Sequence, residues 1–301
     1  MTAPFAFERG ELYHGDCFSI LPSLPEGHFD LVYVDPPFNI GRSRAARIGT
    51  GQRATGTAAY RDNWGGVDGF LAMLEPRVER IAPLLSANGS LWVHLDHRAV
   101  HDTKVMLDRA LGRAACMGEI IWVPGNGGRR RGAPSVTHQT ILIYAPSGRM
   151  LWNSTDPALR EPYADTSLRM HFSEVDETGR AYRERVIGGK SYRYYADTGR
   201  QIGSVWSDCP AMRANTPLIA ETTGYPTQKP EKLLERVIRA ASLPGSNVLD
   251  PMCGSGTTLA VAARLERRFV GIDQSEVAVG VVRKRLSKEP AQLAADDAAS
   301  D

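Results

Sequence analysis

A short apolar run that stops abruptly on a carboxylate and two prolines constrains this chain more than any other stretch. Residues 29–38 read FDLVYVDPPF. Leu31–Val34 is rich in β-formers, and the Asp-Pro-Pro that follows cannot continue a hydrogen-bonded ladder. The expectation is a buried strand that delivers Asp35 at its carboxyl end, the end at which open α/β sheets place their ligands. The plain alternative is an ordinary strand-end turn with Asp35 as a cap.

A second strand–turn–helix signal lies far along the chain, where Val248–Thr257 reads VLDPMCGSGT. Gly254 and Gly256 would let backbone approach a ligand closely, and the first N–H groups of the following helix favour a negative group. Asp273 ends the next apolar run, Phe269–Ile272, about 20 residues on, where an acid can accept bonds from both ribose hydroxyls. A helix N-cap is the alternative for Asp273. Nucleotide fingerprints of the NAD type carry glycine where Asp250 stands. A carboxylate there suits a ligand with a cationic end, such as the ammonium of a methionine moiety. The chain has no GxxxxGK[ST] loop, which argues against a P-loop NTPase.

Between these motifs strands and helices alternate. Phe70, Leu71, Leu74, Val78, Ile81 and Leu85 repeat at helical spacing over Val67–Leu85, and Asn88-Gly89 reads as the stop. Strands are expected at Ser90–Leu95, Glu119–Val123, Thr140–Tyr144, Asn247–Leu249 and Phe269–Ile272. Helices are expected at Arg98–Leu111, Lys232–Ala241, Thr258–Glu266 and Val277–Leu286. This pattern predicts an α/β fold, a Rossmann-like, mostly parallel sheet with helices on both faces. Residues 1–146 and 216–287 form its two halves. Residues 147–215, rich in Arg, Tyr, Asp and Gly, read as an insertion, and the Ala- and Asp-rich residues 288–301 as a disordered tail. Gly41–Gly66, with Arg42, Arg44, Arg47 and Arg53, reads as a long mobile loop.

The formal net charge is only +2, so a nucleic-acid partner has to be argued from where the charges lie. In the insertion Arg183, Arg185 and Arg193 interleave with Tyr192 and Tyr194, a mixture suited to phosphates, guanine edges and stacked bases. Glu174, Asp176, Glu177 and Glu184 offset part of that charge. Arg129, Arg130 and Arg131 form a second candidate phosphate site. The cysteines Cys17, Cys116, Cys209 and Cys253 form no CxxC pair, which points to a reducing cytoplasm. No signal peptide is expected in MTAPFAFERGEL, and no apolar run approaches the roughly 20 residues that span a bilayer. His94, His97 and His101 are expected as surface or capping histidines, and no metal site is expected. Cys253 lies in the glycine turn and is not expected to act as a nucleophile.

Together, DPPF, VLDPMCGSGT and GYPTQKPEKLLERVIRAAS resemble the amino-methylating DNA methyltransferases, the N6-adenine/N4-cytosine family. The catalytic motif precedes the glycine motif, which resembles the permuted β group. The likeness covers roughly residues 11–146 and 222–286. It implies S-adenosylmethionine as cofactor and duplex DNA as substrate, with the target base flipped out. It implies that Asp35, Pro36, Pro37 and Phe38 hold the base. Asp35 and the Pro36 carbonyl would take the two amino hydrogens, and Phe38 would stack. It implies that Asp16 contacts the adenine ring of the cofactor, Asp273 its ribose, and Thr227, Gln228 and Lys229 its methionine end. Asp250, Pro251, Met252, Gly254, Ser255, Gly256 and Thr257 would line the pocket. Met252 and Cys253 depart mildly from the usual residues there. Asp at the first motif position favours N6 of adenine and leaves N4 of cytosine open. A homodimer and a cognate restriction endonuclease are further partners that the resemblance suggests.

Overall fold

The computed structural model describes residues 3–38, 44–48, 55–60, 63–125, 130–212 and 221–287. The chain divides into two compact units, Met1–Trp152 with Val205–Asp301, and Asn153–Ser204. The larger unit opens with β1 (Phe5–Phe7), β2 (Gly10–His14), α1 (Cys17–Ile20), β3 (Phe29–Val34), β4 (Arg44–Ile48) and β5 (Thr55–Tyr60). It continues with α2 (Val67–Ile81), β6 (Leu85–Leu95), α3 (Val100–Ala110), β7 (Cys116–Trp122) and β8 (Gln139–Tyr144). The smaller unit carries β9 (Arg160–Glu161), α4 (Asp165–His171), β10 (Glu174–Val175), β11 (Ala181–Ile187), β12 (Lys190–Tyr195) and β13 (Arg200–Gln201). The larger unit resumes with β14 (Val205–Trp206), α5 (Glu231–Ala241), β15 (Asn247–Asp250), α6 (Thr257–Arg264), β16 (Arg268–Asp273) and α7 (Glu276–Leu286).

One nine-stranded sheet runs in the order β1-β2-β16-β15-β3-β6-β8-β7-β14. From β2 to β6 every pairing is parallel. β8 runs antiparallel between β6 and β7, and short β14 lies outside them. β1 adds a third antiparallel pairing, at the opposite edge. In β3, Val32 and Val34 join a core with Phe70, Leu74 and Val78 of α2 and Leu107 of α3. The alternate residues Leu31 and Tyr33 face the opposite layer, where α5 packs on β3 and α6 on β15 and β16. Each fully buried side chain of this kind contributes roughly 1.5–3 kcal/mol. The Glu231 carboxylate of α5 accepts from Arg264 of α6 and, at 2.5 Å, from Arg285 of α7, tying three helices together.

Two local signals resolve differently from expectation. Asn88-Gly89 does not end a helix but sits inside β6, which begins at Leu85. A Cβ on Gly89 would lie 2.4 Å from the Phe29 carbonyl oxygen, and the β3–β6 register slips between Phe29 and Leu31. The glycine therefore accommodates an irregular pairing. Within Gly41–Gly66, β4 and β5 pair as an antiparallel ladder where a loop was expected. Residues 63–66 of that stretch are also described, whereas 41–43, 49–54 and 61–62, Arg42 and Arg53 among them, lie outside the described residues, as does the tail 288–301.

The turn from β15 into α6 depends on Gly256, which adopts a left-handed φ of 71° and leaves no room for a Cβ, 2.7 Å from Val282 Cγ2. Gly256→Ala should destabilise the protein by about 1–3 kcal/mol in denaturant titrations, through overpacking and a strained φ. Gly280→Ala on the exposed side of α7, where a Cβ meets nothing within 4 Å, should instead be neutral or stabilise by up to about 1 kcal/mol. Equal effects at the two positions would contradict this account of the turn.

Candidate active site

The parallel pairing of β3 with β15 sets the site. Leu31 pairs with Val248 and Val32 with Leu249, so both strands end at the same sheet edge with Asp35 and Asp250 there. β16 continues the row, pairing Gly271 with Asp250 and ending on Asp273. A cleft of about 1070 Å³, its open mouth included, lies over this edge. It is lined by Asp35, Pro36, Pro37 and Phe38, and by Asp16, Thr227, Gln228 and Lys229. Asp250, Pro251, Met252, Gly254, Ser255, Thr257 and Asp273 complete the predicted set. Gly256 does not line it; that residue is buried against Val282 and serves the turn.

The acids on the cleft floor are short of partners. Asp35 Oδ2 accepts from Lys229 Nζ at 2.5 Å, whereas Asp35 Oδ1 is buried and accepts no bond among the described residues. Burial raises the pKa of the Asp35 carboxyl, and the Lys229 ammonium pulls it back down. Asp250 Oδ1 accepts a long 3.2 Å bond from the Met252 N–H. Burial pushes the Asp250 pKa up to about 7, against the opposing pull of the Thr258 hydroxyl and that N–H. Asp273 receives the Gly254 and Ser275 N–H groups, each at 2.8 Å, and burial raises its pKa too. Ser275, not Asp273, caps α7. Asp16 caps α1 through the Phe18 N–H and pairs with Arg77 at 2.8 Å. Three carboxylates, of which Asp35 alone is paired with a buried ammonium, make a floor suited to a ligand that brings donors and positive charge.

The segment Gly224–Pro230 crosses the cleft as a strap. The Gln228 amide accepts from the Thr223 hydroxyl at 2.7 Å and donates to the Glu221 carbonyl at 2.7 Å. Its side chain is thus spent on holding the strap. Tyr225 packs on α7 beside Ala278, and a Cβ on Gly254 would lie 3.3 Å from its ring. Lys229 is nearly buried, and its ammonium sits over the Phe38 ring, 4.8 Å from the centroid.

Sequence reasoning missed His94. It was expected at the surface or on a cap, yet it is fully buried in β6, beside Phe38 with ring centroids 6.2 Å apart. Tyr33 Oη lies 2.6 Å from His94 Nδ1, and Gln139 Oε1 2.7 Å from His94 Nε2. Burial holds the imidazole well below its ordinary pKa, so it packs neutral behind Phe38. The signal was its place inside the run Leu91–Leu95, part of a strand buried on both faces from Gly89 to Leu95. His97 and His101 are exposed, and no cluster that could hold a metal occurs among the described residues. Burial pushes the Cys253 thiol well above its ordinary value, which fits the expectation of an inert thiol.

The basic residues of the smaller unit divide by the β11–β12 register. Arg183 pairs with Tyr194 and Arg185 with Tyr192, so these four share one face of the hairpin, and Arg193 lies on the other opposite Glu184. Arg193 is tied to Glu184 at 2.9 Å and Arg180 to Asp197 at 2.7 Å. The Arg183 guanidinium is held among Tyr163, Phe172 and Tyr194, 5.1–5.6 Å from their ring centres. Arg185 and Lys190 are exposed and make no ion pair among the described residues, beside exposed Ile187 and Tyr192. In the larger unit Arg130 and Arg131 are exposed, and Arg129 lies outside the described residues.

The Asp250 carboxyl yields a test with a definite sign. With a pKa near 7 in the folded protein against an ordinary 3.8, folding takes up a proton and stability falls as the pH rises through that window. Asp250→Asn removes the buried charge, so the free protein should be more stable than wild type near pH 8, by up to about 4 kcal/mol, with the gain vanishing near pH 4. Thermal melts across that range check this, and a variant less stable than wild type near pH 8 contradicts it.

Comparison with known proteins places this geometry. A family model described as DNA methylase, covering N6 and N4 methyltransferases, matches residues 29–284. The type II methyltransferase M2.LlaDCHI of Lactococcus lactis subsp. cremoris is 26% identical over 293 residues, covering 96% of this chain and 93% of that protein. The cytosine-N4-specific PvuII DNA methyltransferase superposes with a TM-score of 0.59 at 17% identity, covering 93% of this chain and 87% of that one. The Thermus thermophilus protein TTHA0409, in complex with S-adenosyl-L-methionine, superposes with a TM-score of 0.55 at 21% identity, over 93% and 95% of the two chains. The family match spans most of the sequence and includes the three strands that carry Asp35, Asp250 and Asp273, so this chain belongs to the N6/N4 DNA methylase family.

Proposed function

We propose that this protein transfers a methyl group from S-adenosylmethionine to the exocyclic amino group of a flipped base in duplex DNA, with N6 of adenine the preferred target. The observation that carries the reading is Asp35 Oδ1, a buried acceptor with no partner among the described residues, in the same cleft as Asp250 and Asp273. An amino nitrogen brings two donors, and Asp35 Oδ1 and the Pro36 carbonyl are the acceptors for them. Proline contributes a carbonyl on a rigid backbone with no competing N–H.

The residues present fit the cofactor. Asp250, nearly buried and weakly bonded, offers a counter-charge to a cationic end, and the Asp273 carboxylate, which also lines the cleft, offers acceptors to ribose hydroxyls. The cations that line the cleft, Lys229 and Arg77, are each already paired with an acid, so the cleft is poorly suited to a phosphate-rich nucleotide. When bound, the cofactor supplies a methyl group already activated by its sulfonium. The chain's own work is then alignment and exclusion of water. Asp35 Oδ1 and the Pro36 carbonyl draw the amino nitrogen towards tetrahedral geometry, and Phe38, backed by His94, stacks on the base. The new nitrogen–carbon bond would form as the methyl–sulfur bond breaks, leaving the neutral thioether S-adenosylhomocysteine, and the nitrogen would shed one proton along its bond to Asp35 Oδ1 and from there to solvent.

We assign target recognition to the insertion 147–215, which contains the compact unit Asn153–Ser204. Within its β11–β12 hairpin, Arg185 and Lys190 are the cations left for phosphates, since Arg193 is neutralised by Glu184 and Arg183 is enclosed by rings, and exposed Arg169 of α4 is a further one. A cytoplasmic, DNA-associated location, a homodimer and a cognate endonuclease belong to the same reading. No helix among the described residues is long and apolar enough to cross a membrane.

Methyl transfer from labelled S-adenosylmethionine to duplex DNA, followed by nucleoside separation, tests the core of this. Label should appear in N6-methyladenine, and Asp35→Ala should lower the rate by on the order of 100- to 10,000-fold. Label in N4-methylcytosine overturns the choice of base, and the absence of label in any DNA despite cofactor binding overturns the function. Replacing both Arg185 and Lys190 by Ala should reduce the slope of log K against log salt by about 2. An unchanged slope moves the DNA contact elsewhere.

A further inference from the structure

The resemblance to amino-methylating enzymes points Lys229 at the cofactor, but its ammonium is engaged elsewhere. Nζ bonds Asp35 Oδ2 at 2.5 Å and lies over the Phe38 ring. It touches both side chains proposed to hold the base, 194 residues away in sequence from the carboxylate that it binds. Resting on the function proposed above, we propose that Lys229 is a positioning residue for methyl transfer, pinning Asp35 Oδ2 so that Oδ1 alone faces the target amino group.

The surroundings make this geometry specific. Lys229 is 8% exposed and Asp35 19%, so water does not replace the ammonium at Oδ2. The backbone that presents Lys229 is restrained on both sides. Thr227 holds a left-handed φ of 60°, unusual for a β-branched residue, and the Gln228 amide is bonded to Thr223 and Glu221. The Lys229 carbonyl accepts from Thr257 Oγ1 at 3.3 Å, so the strap is joined to the glycine turn that starts α6. Pro230 then caps α5. A carboxylate free to rotate would offer either oxygen to a donor, or swing away from it. With Oδ2 held, one acceptor remains and its direction is set, which is the preorganisation that charge-developing reactions reward.

The ionisable groups that face Asp35 are Lys229 from the strap, Tyr33 on the same strand, Asp250 from β15, and His94 from β6 behind Phe38. Asp250 adds like charge, Tyr33 and His94 are neutral near pH 7, and Lys229 is the cation that offsets burial at Asp35. Removing that cation therefore raises the pH at which Asp35 loses its charge, and the acid limb of the rate profile moves up with it.

The test uses the full chain with Lys229→Met and Lys229→Arg, measured for S-adenosylmethionine affinity by calorimetry and for single-turnover methyl transfer at saturating cofactor and duplex across pH. Lys229→Met should keep cofactor affinity within a few-fold and lose on the order of 100-fold in single-turnover rate, with its acid limb shifted to higher pH. Lys229→Arg should recover most of the rate. If Lys229→Met loses cofactor affinity while its saturated rate and pH profile stay as in wild type, the residue is a cofactor ligand and the proposal is overturned. An unchanged rate with unchanged affinity overturns it as well. Should Lys229→Met fail to fold by circular dichroism, Lys229→Gln is carried through the same measurements with the same criteria. Failure of the parent function shows separately, as absence of transfer by the wild-type enzyme.

Discussion

Two strands whose sequences are more than 200 residues apart lie side by side in the middle of the sheet, and the rest of the molecule follows from that pairing. With Leu31 beside Val248, Asp35 and Asp250 emerge at one edge, and β16 brings Asp273 to the same row. A parallel arrangement demands crossovers, and here the helices on both faces supply them while burying most of the two central strands. The order of motifs along the chain has little influence on the site, because the cleft is assembled by lateral order in the sheet. The Glu231 carboxylate, shared by Arg264 and Arg285, fixes the second helical layer against which the strap is seated.

The electrostatics of the cleft are those of a site that is incomplete without its ligands. Burial raises the pKa of Asp35, Asp250 and Asp273, and the protein compensates one of them with a side-chain cation and another with backbone N–H groups. Asp250 has neither a cation nor a short backbone bond, only the long Met252 contact and the Thr258 hydroxyl. Such an arrangement costs stability in the free protein and is offset when charge and donors arrive with the ligand, a trade common at functional sites. The smaller unit shows the opposite tendency. Most of its arginines are satisfied within the unit, so the positive charge available to a partner is far less than a count of arginines suggests.

Much of this was legible in the sequence, and the reason is locality. The strand ending in Asp35, the glycine turn after Asp250 and the strand ending in Asp273 are each encoded within about ten residues, by an apolar run and its terminator. The residues themselves show no partners across the fold. Lys229 meets Asp35 only once α5 and β3 are packed, and Gln228 turns inward to Thr223 and Glu221 through a strap whose path no periodicity describes. His94 is buried because β3 supplies Tyr33 and β8 supplies Gln139. Arg193 finds Glu184 through a strand register that composition does not contain. Asn88-Gly89 carried a stop signal that tertiary pairing overrode, since β6 continues through it beside Phe29.

The measurement that tests the central claim most directly is a crystal structure of the protein with S-adenosylhomocysteine and a duplex carrying its target base. The account predicts a flipped base with its amino nitrogen within hydrogen-bond reach of Asp35 Oδ1, Lys229 still on Oδ2, and the product's ribose hydroxyls on Asp273. A base held through Oδ2 with Lys229 displaced, or a cofactor seated away from the β3–β15 edge, would contradict it.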